Sequence, residues 1–274
     1  MKKFRRHSAR MNLMHYRVLV RRYFRQIFST LGTLLPLILQ APVMLIIVYL
    51  VCSNDAFTQK NAAALTNANV TVFVLIVMSA LMGILNSYRE ICKERDVLSR
   101  EVFGGLDLSA YVLSKFTVLS VIGIVQCVIL YGGTLTFVDF AYPDPATGYL
   151  CSVAAMILTN ISVMAVGLFI SALLKKSESA ILPVLFIIIM QVVFCDSLFA
   201  LGDGASWVRY LTPAAWGIAV FSNACGINNW APEIFEKEMF GYHPLVGLGV
   251  LAAIAVLFAL LTIVRLKRVY RQKD

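Results

Sequence analysis

A dense group of charged residues interrupts an otherwise apolar chain between residues 86 and 116. This stretch, NSYREICKERDVLSREVFGGLDLSAYVLSKF, holds five basic and five acidic residues. Several of them recur at three- and four-residue spacing, as Glu90 and Lys93 do, so opposite charges would be neighbours on a helix. Gly104 and Gly105 then predict the end of that helix. We predict a helix at about 89–107, and its charges could pair either with one another in a solvated loop or with a docked protein.

Recognisable catalytic motifs are missing from the sequence. It contains no G-x-x-x-x-G-K-[ST] phosphate loop, no H-E-x-x-H and no G-x-S-x-G. The cysteines show no C-x-x-C spacing, and the three histidines are scattered, so no metal site is predicted. We therefore expect no catalytic residue and no cofactor in this chain. A disulfide among Cys52, Cys195 and Cys225 stays open at this stage.

The composition indicates that the charged stretch is connected to membrane-spanning elements. Of the 274 residues, 59% are hydrophobic and 14% are charged, and the mean hydropathy is +0.79, which is typical of an integral membrane protein. Continuous apolar runs predict spanning helices and not the alternating strands of a barrel. We predict an all-α protein with six spans, at about 33–51, 70–87, 116–138, 149–174, 179–201 and 244–264. Residues 210–232 lack charge but contain proline, glycine and asparagine, which predicts an external, re-entrant segment.

The basic residues predict the orientation of these spans. Twenty-one lysines and arginines would fall on one side of the membrane and three on the other, which places both termini in the cytoplasm. Residues 1–32 would form a basic tail and an amphipathic interfacial helix. Residues 33–264 would form the spanning domain, with a large external loop at about 202–243, and residues 265–274 a second basic tail. The net charge of +9 favours contact with anionic lipid over nucleic acid.

Three motifs carry a resemblance to a known family, and they occur in order along nearly the whole chain. The first follows span two and consists of Lys93-Glu94-Arg95, Arg100-Glu101, Gly104-Gly105 and SAYVLSK at 109–115. The second is RYLTPAAW at 209–216. The third is the N-terminal arginine-rich helix that leads into Leu39-Gln40-Ala41-Pro42. In these motifs the chain resembles the membrane domains of type-2 ABC exporters, most closely those of the G subfamily and related bacterial permeases.

The resemblance implies partners as well as a fold. It implies a dimer, formed with a second copy or a homologous permease, and an ATPase subunit that binds ATP and Mg. About 30 residues precede the first span, so we expect that ATPase on a separate polypeptide. The segment at 89–107 would be a coupling helix, with contacts from Glu94, Arg95, Arg100 and Glu101. A bacterial inner membrane is the expected location.

Candidates for the substrate path come from polar and aromatic residues in the spans. The resemblance implies a cavity at the dimer axis lined by spans two and five, where we place Asn86, Met190, Gln191 and Phe194. A separate strip of small residues on span two, Ser79, Gly83 and Ser87, predicts close approach of another helix.

The expected function is export of an amphipathic drug, lipid or peptide-like molecule. Two alternatives remain at this point. One is a permease that exports a glycan. The other is a membrane scaffold or channel-like subunit that transports nothing, for which composition and topology fit equally well.

Overall fold

The computed structural model describes residues 12–54, 56–57, 62–176, 178–195, 206–230 and 238–271. Within these ranges the chain forms α-helices joined by turns and short 3-10 helices, with no strand, which confirms the all-α prediction. The α-helices are α1 (Leu13–Ser29), α2 (Leu31–Val51), α3 (Ala62–Ser87), α4 (Arg95–Phe103), α5 (Leu108–Thr134), α6 (Pro145–Leu173), α7 (Ile181–Val193), α8 (Pro213–Ala224) and α9 (Pro244–Arg271). Parts of both predicted tails and of the predicted external loop lie outside the described residues.

Five of these helices, α2, α3, α5, α6 and α9, are long and apolar enough to cross a membrane. The predicted fifth span at 179–201 corresponds to α7, whose 13 residues are fewer than the roughly 20 that a crossing needs. Residues 196–201 of that prediction lie outside the described part of the chain.

Two helices extend beyond the spans predicted for them. α3 begins at Ala62 and α5 at Leu108, each eight residues before the predicted start at 70 and 116. The apolar windows marked only the parts of these helices that suit lipid. Asp107 caps α5 because its side chain accepts from Ser109 N at 3.0 Å.

Helix α6 occupies the centre of the bundle and packs against α3, α5, α8 and α9. The predicted strip on α3 lies against it. Ser79 Oγ donates to the Met156 carbonyl at 2.9 Å, and Asn160 Nδ2 donates to the Ser79 carbonyl at 2.8 Å. Gly83 touches the backbone of Asn160, where no side chain would fit. Small residues therefore let the two helices approach closely, as expected for helices in lipid.

The described part of the segment predicted to be external, residues 210–230 of 210–232, forms α8 and its flanking turns. Pro213 occupies the first turn of α8, and Gly226 follows its end with φ of 66°. All residues from Pro213 to Ser222 are buried, and α8 packs against α3, α6 and α9. Its 12 residues extend only about 18 Å, too short for a crossing.

Two cysteines that the topology prediction placed near the outer surface are buried. Cys52 and Cys225 are 7% and 0% exposed and are not joined by a disulfide. Neither native side chain is therefore open to a labelling reagent in solution.

The close α3–α6 contact predicts the effect of a single added methyl group. Gly83→Ala should destabilise the protein by about 1 to 3 kcal/mol, since the new carbon meets the Asn160 carbonyl and the backbone has to move. Gly132→Ala on α5 is the control, because nothing lies within 4 Å of a carbon added there. Thermal unfolding of the purified protein in detergent would measure both variants. Equal melting temperatures for Gly83→Ala and Gly132→Ala would contradict this account of the contact.

Candidate functional site

The charged stretch after α3 does not form one helix at 89–107, which corrects the prediction. After Ser87 the chain turns, forms a 3-10 helix at Cys92–Glu94 and continues as α4 from Arg95 to Phe103. Gly105, with φ of 93°, follows α4 and reverses the chain toward α5. The helix is short because the residues before Arg95 bend back onto the ends of the spanning helices.

The bend is fixed to the end of α6. The amides of Ile91 and Cys92 both donate to Ser171 Oγ, at 2.9 and 3.0 Å. The Arg95 guanidinium donates to the carbonyl of Leu174, just beyond the last residue of α6. One hydroxyl therefore satisfies two buried amides, and one arginine satisfies a carbonyl at the helix end.

A group of charges lies between the bend and α5, and we call it the ion cluster: Glu90, Lys93, Glu94 and Lys115. Lys115 is buried, Glu90 and Glu94 are partly buried, and Lys93 is exposed. The Lys115 side chain is 2% exposed, and its Nζ lies 2.9 Å from Glu94 Oε2 and 3.4 Å from Glu90 Oε2. Lys93 pairs with the other oxygen of Glu90. Two ammonium groups thus balance two carboxylates, which a buried charge requires.

Two tyrosines complete the ion cluster. The Tyr111 hydroxyl donates to Glu94 Oε2 at 3.0 Å, and the Tyr23 hydroxyl donates to Glu90. The Tyr23 ring centre lies 3.8 Å from Lys115 Nζ, which is a cation–π contact. Burial, together with the Glu90 carboxylate, raises the pKa of Tyr23 well above its usual range. Tyr23 on α1 therefore stays protonated and remains a hydrogen-bond donor.

Two further contacts join α1 and its N-cap residue to the charged stretch. The two terminal guanidinium nitrogens of Arg22 donate to the two carboxylate oxygens of Glu101, Nη2 to Oε2 at 3.1 Å. This hydrogen-bonded carboxylate raises the pKa of Arg22. The backbone amide of Asn12 donates to Asp107 Oδ2 at 2.9 Å. Bidentate pairs are stronger and more directional than single contacts, so α1 and α4 are held in one orientation.

The predicted coupling residues fall on two different faces. Glu94 belongs to the ion cluster, Arg95 binds the end of α6 and Glu101 pairs with Arg22, whereas Arg100 lies exposed on α4. Exposed with Arg100, at helical spacing, are Asp96, Val97 and Phe103, and Val97 and Phe103 are 48% and 59% exposed. We call this stripe of Asp96, Val97, Arg100 and Phe103 the outer face of α4. Coupling through any of these residues stays a prediction.

The predicted substrate-path residues do not meet in one place. Asn86, near the end of α3, donates to Gln126 Oε1 on α5 at 2.7 Å. Gln191, near the end of α7, accepts from Ala214 N at 3.0 Å and so caps the start of α8. Met190 and Phe194 are half-buried beside Gln191. A lining role for the four residues stays a prediction.

Several residues that build the site were not predicted from sequence. They are Tyr23, Tyr111, Lys115 and Ser171, whereas the pairing of Glu90 with Lys93 was expected from their three-residue spacing. A signal existed for two of them, because Tyr111 and Lys115 lie one helical turn apart at the start of an apolar run, where a lysine needs a partner. Nothing in the sequence pointed to Ser171, since its role depends on how α6 and the bend meet.

Two comparisons with known proteins show what this chain is similar to. Residues 14–224 match the family described as ABC-2 type transporter, and this match includes the ion cluster and α1 to α8. The chain is also 29% identical over 186 residues to an ABC transporter ATP-binding/permease protein of Mycobacterium tuberculosis. That alignment covers 63% of this chain and 21% of the relative, so the chain spans about a fifth of the relative's length.

The family match extends over well more than half of the chain and includes the charged stretch with its anchoring helices. Its described part holds several helices able to cross a membrane. The protein is therefore a multi-pass membrane protein and belongs to the ABC-2 type transporter family, as a permease domain.

Proposed function

We propose that this chain is the membrane permease unit of an ATP-driven exporter, and that an ABC ATPase docks on the outer face of α4. The observation that carries the proposal is an exposed, partly apolar helix face on a segment that is firmly anchored underneath. ATP and Mg would bind to the ATPase. The relative's name joins ATP-binding and permease functions, which supports such a partnership, whether the ATPase is a separate subunit or a fused domain.

The anchoring supports a mechanical role for α4. A push on its outer face would reach α5 through Glu94 and Lys115, α6 through Arg95, and α1 through Glu101 and Arg22. Packed and hydrogen-bonded elements move together, whereas a solvated loop would absorb the displacement. A passive scaffold would not require this connection, so we favour the transporter over that alternative.

The proposal includes six crossings with both termini in the cytoplasm. α7 would be the described part of the fifth crossing, and α8 would be re-entrant. The basic residues at 175–176 and along the last turns of α9 support the orientation, since cytoplasmic ends carry most lysine and arginine.

Dimerisation and cargo follow from the same proposal. α7 leaves one apolar stripe uncovered, formed by Leu182, Leu185, Phe186 and Ile189, and a second copy could pack there. An amphipathic drug, lipid or peptide-like molecule would then pass between the two copies. Asn86, Met190, Gln191 and Phe194 remain the proposed lining, with Phe194 nearest the outer end.

The orientation predicts the access of thiol reagents to engineered cysteines. In a cysteine-free background, Gly241→Cys should react with an impermeant maleimide in intact cells. Lys176→Cys should react only after the membrane is permeabilised. Both native residues are exposed, so each new thiol should be reachable from its own side. Labelling of Lys176→Cys in intact cells would overturn the topology.

The proposed docking surface predicts that substitutions on it lower transport without lowering the stability of the protein. The double variant Arg100→Ala/Phe103→Ala should lower ATP-driven transport about tenfold or more, as for the loss of one or two interface hot spots. Its melting temperature should stay unchanged, because both side chains are exposed. Glu94→Gln should lower both the transport rate and the melting temperature, since it disrupts the ion cluster.

The matched control is Leu173→Ala/Lys176→Ala, which removes an exposed apolar and an exposed basic side chain near the same end of the bundle. Transport by this control should equal that of the parent protein. Parent-level transport by Arg100→Ala/Phe103→Ala would show that the outer face of α4 is only a solvated surface.

A further inference from the structure

A cavity of about 460 Å³ lies beside the ion cluster, between α1, α2 and α3. Ion-cluster residues Glu90 and Lys93 line one end. Its walls are largely apolar and include Ile27, Leu37, Val43, Met44, Leu85 and Leu119. This volume falls in the range of small-molecule sites, and the separation of charge from apolar wall suits an amphipathic occupant.

The length of the cavity matches one half of a bilayer. Its lining on α2 extends from Gly32 to Met44, a helical rise of about 18 Å. The hydrocarbon core of a membrane is about 30 Å thick, so one leaflet accounts for about half of that. The charged end adjoins the end of α3, where the spanning helix leaves the apolar region. The cavity therefore has the depth and polarity of one lipid in one leaflet.

The polar groups at the cavity favour an occupant that accepts hydrogen bonds. Glu90 is already engaged by Tyr23, Lys93 and Lys115, while the Lys93 side chain remains 34% exposed. Gln40 also lines the cavity, and its buried Nε2 has no hydrogen-bond partner among the described residues. Such a buried donor destabilises the protein unless an acceptor reaches it.

Helix α2 is poorly covered by the rest of the chain on this side. Ala41 and Val48 are its only buried residues, whereas cavity-lining Leu39 and Val43 are 48% and 49% exposed. Pro36 and Pro42 also remove two backbone donors from the helix. A molecule in the cavity would add the packing that α2 lacks against α3.

We propose that this cavity binds one glycerophospholipid from the leaflet next to the ion cluster. Its phosphate accepts a charge-assisted hydrogen bond from Lys93, and an ester carbonyl accepts from Gln40. One acyl chain lies along Val43 and Met44. The site goes beyond the proposed export function, since binding requires neither ATP nor an ATPase.

A photoreactive phospholipid tests this site in the purified chain reconstituted into vesicles. A diazirine in the acyl chain should label α2 at 39–44 and α3 near Leu85, as mapped by mass spectrometry. Val43→Trp should lower that labelling about tenfold, equivalent to 1.4 kcal/mol, because the larger ring occupies the acyl position. Ile38→Trp is the matched control, since Ile38 is 57% exposed on α2 and does not line the cavity.

A second comparison, of Lys93→Met with Lys176→Met, tests the headgroup contact. Lys93→Met should lower labelling by the phospholipid but not by a diazirine diacylglycerol, and Lys176→Met should change neither. Equal labelling of Val43→Trp and Ile38→Trp would mean that lipid only coats the surface, and it would overturn the proposal. Complete competition by inorganic phosphate would also overturn it, because the site would then bind an anion without a chain. If Lys93→Met fails to fold, the comparison of Val43→Trp with Ile38→Trp decides alone.

Discussion

The Lys115 ammonium is buried at the start of a membrane-spanning helix, and it has to be neutralised there. An unpaired charge in such a place costs several kcal/mol, so the chain must bring carboxylates to it. Glu90 and Glu94 do so, and both come from the stretch that follows α3. The bend after Ser87, the shortness of α4 and the position of Tyr23 are all consequences of this pairing.

This constraint also determines what the protein presents at its charged end. Because Glu94 and Arg95 point into the structure, α4 offers a partner only its outer face. Behind α4, the contact of Ser171 with the bend links it to α6, and the close packing of α3 on α6 continues that link through the bundle. The proposed docking surface, its anchor and the spanning helices thus form one connected unit.

The sequence predicted the parts of this arrangement that depend on local pattern. Continuous apolar runs predicted the helical class, and the glycine pair predicted the end of α4. Small residues at four-residue spacing predicted the close contact of α3 with another helix. These features depend on helix period, backbone freedom and side-chain size, which a single chain segment already contains.

Features that depend on distant segments were not predictable in this way. The resemblance named Glu94, Arg95, Arg100 and Glu101 together as coupling residues. Only the folded chain shows that Lys115 engages Glu94 and that Arg22 engages Glu101. The early start of α5 depends on Asp107, which also binds the backbone of α1. The burial of α8 depends on surrounding helices, and the proline, glycine and asparagine residues at 210–232 indicated only that this segment makes a poor spanning helix.

A double-mutant cycle on Lys115 and Glu94 tests most directly whether the ion cluster organises this end of the protein. Lys115→Met, Glu94→Gln and the double variant would be compared by reversible unfolding in detergent. If the cluster is the organising interaction, each single change is strongly destabilising, and the double variant is more stable than the sum predicts by about 1 to 3 kcal/mol. Additive effects, within about 0.5 kcal/mol, would contradict the account.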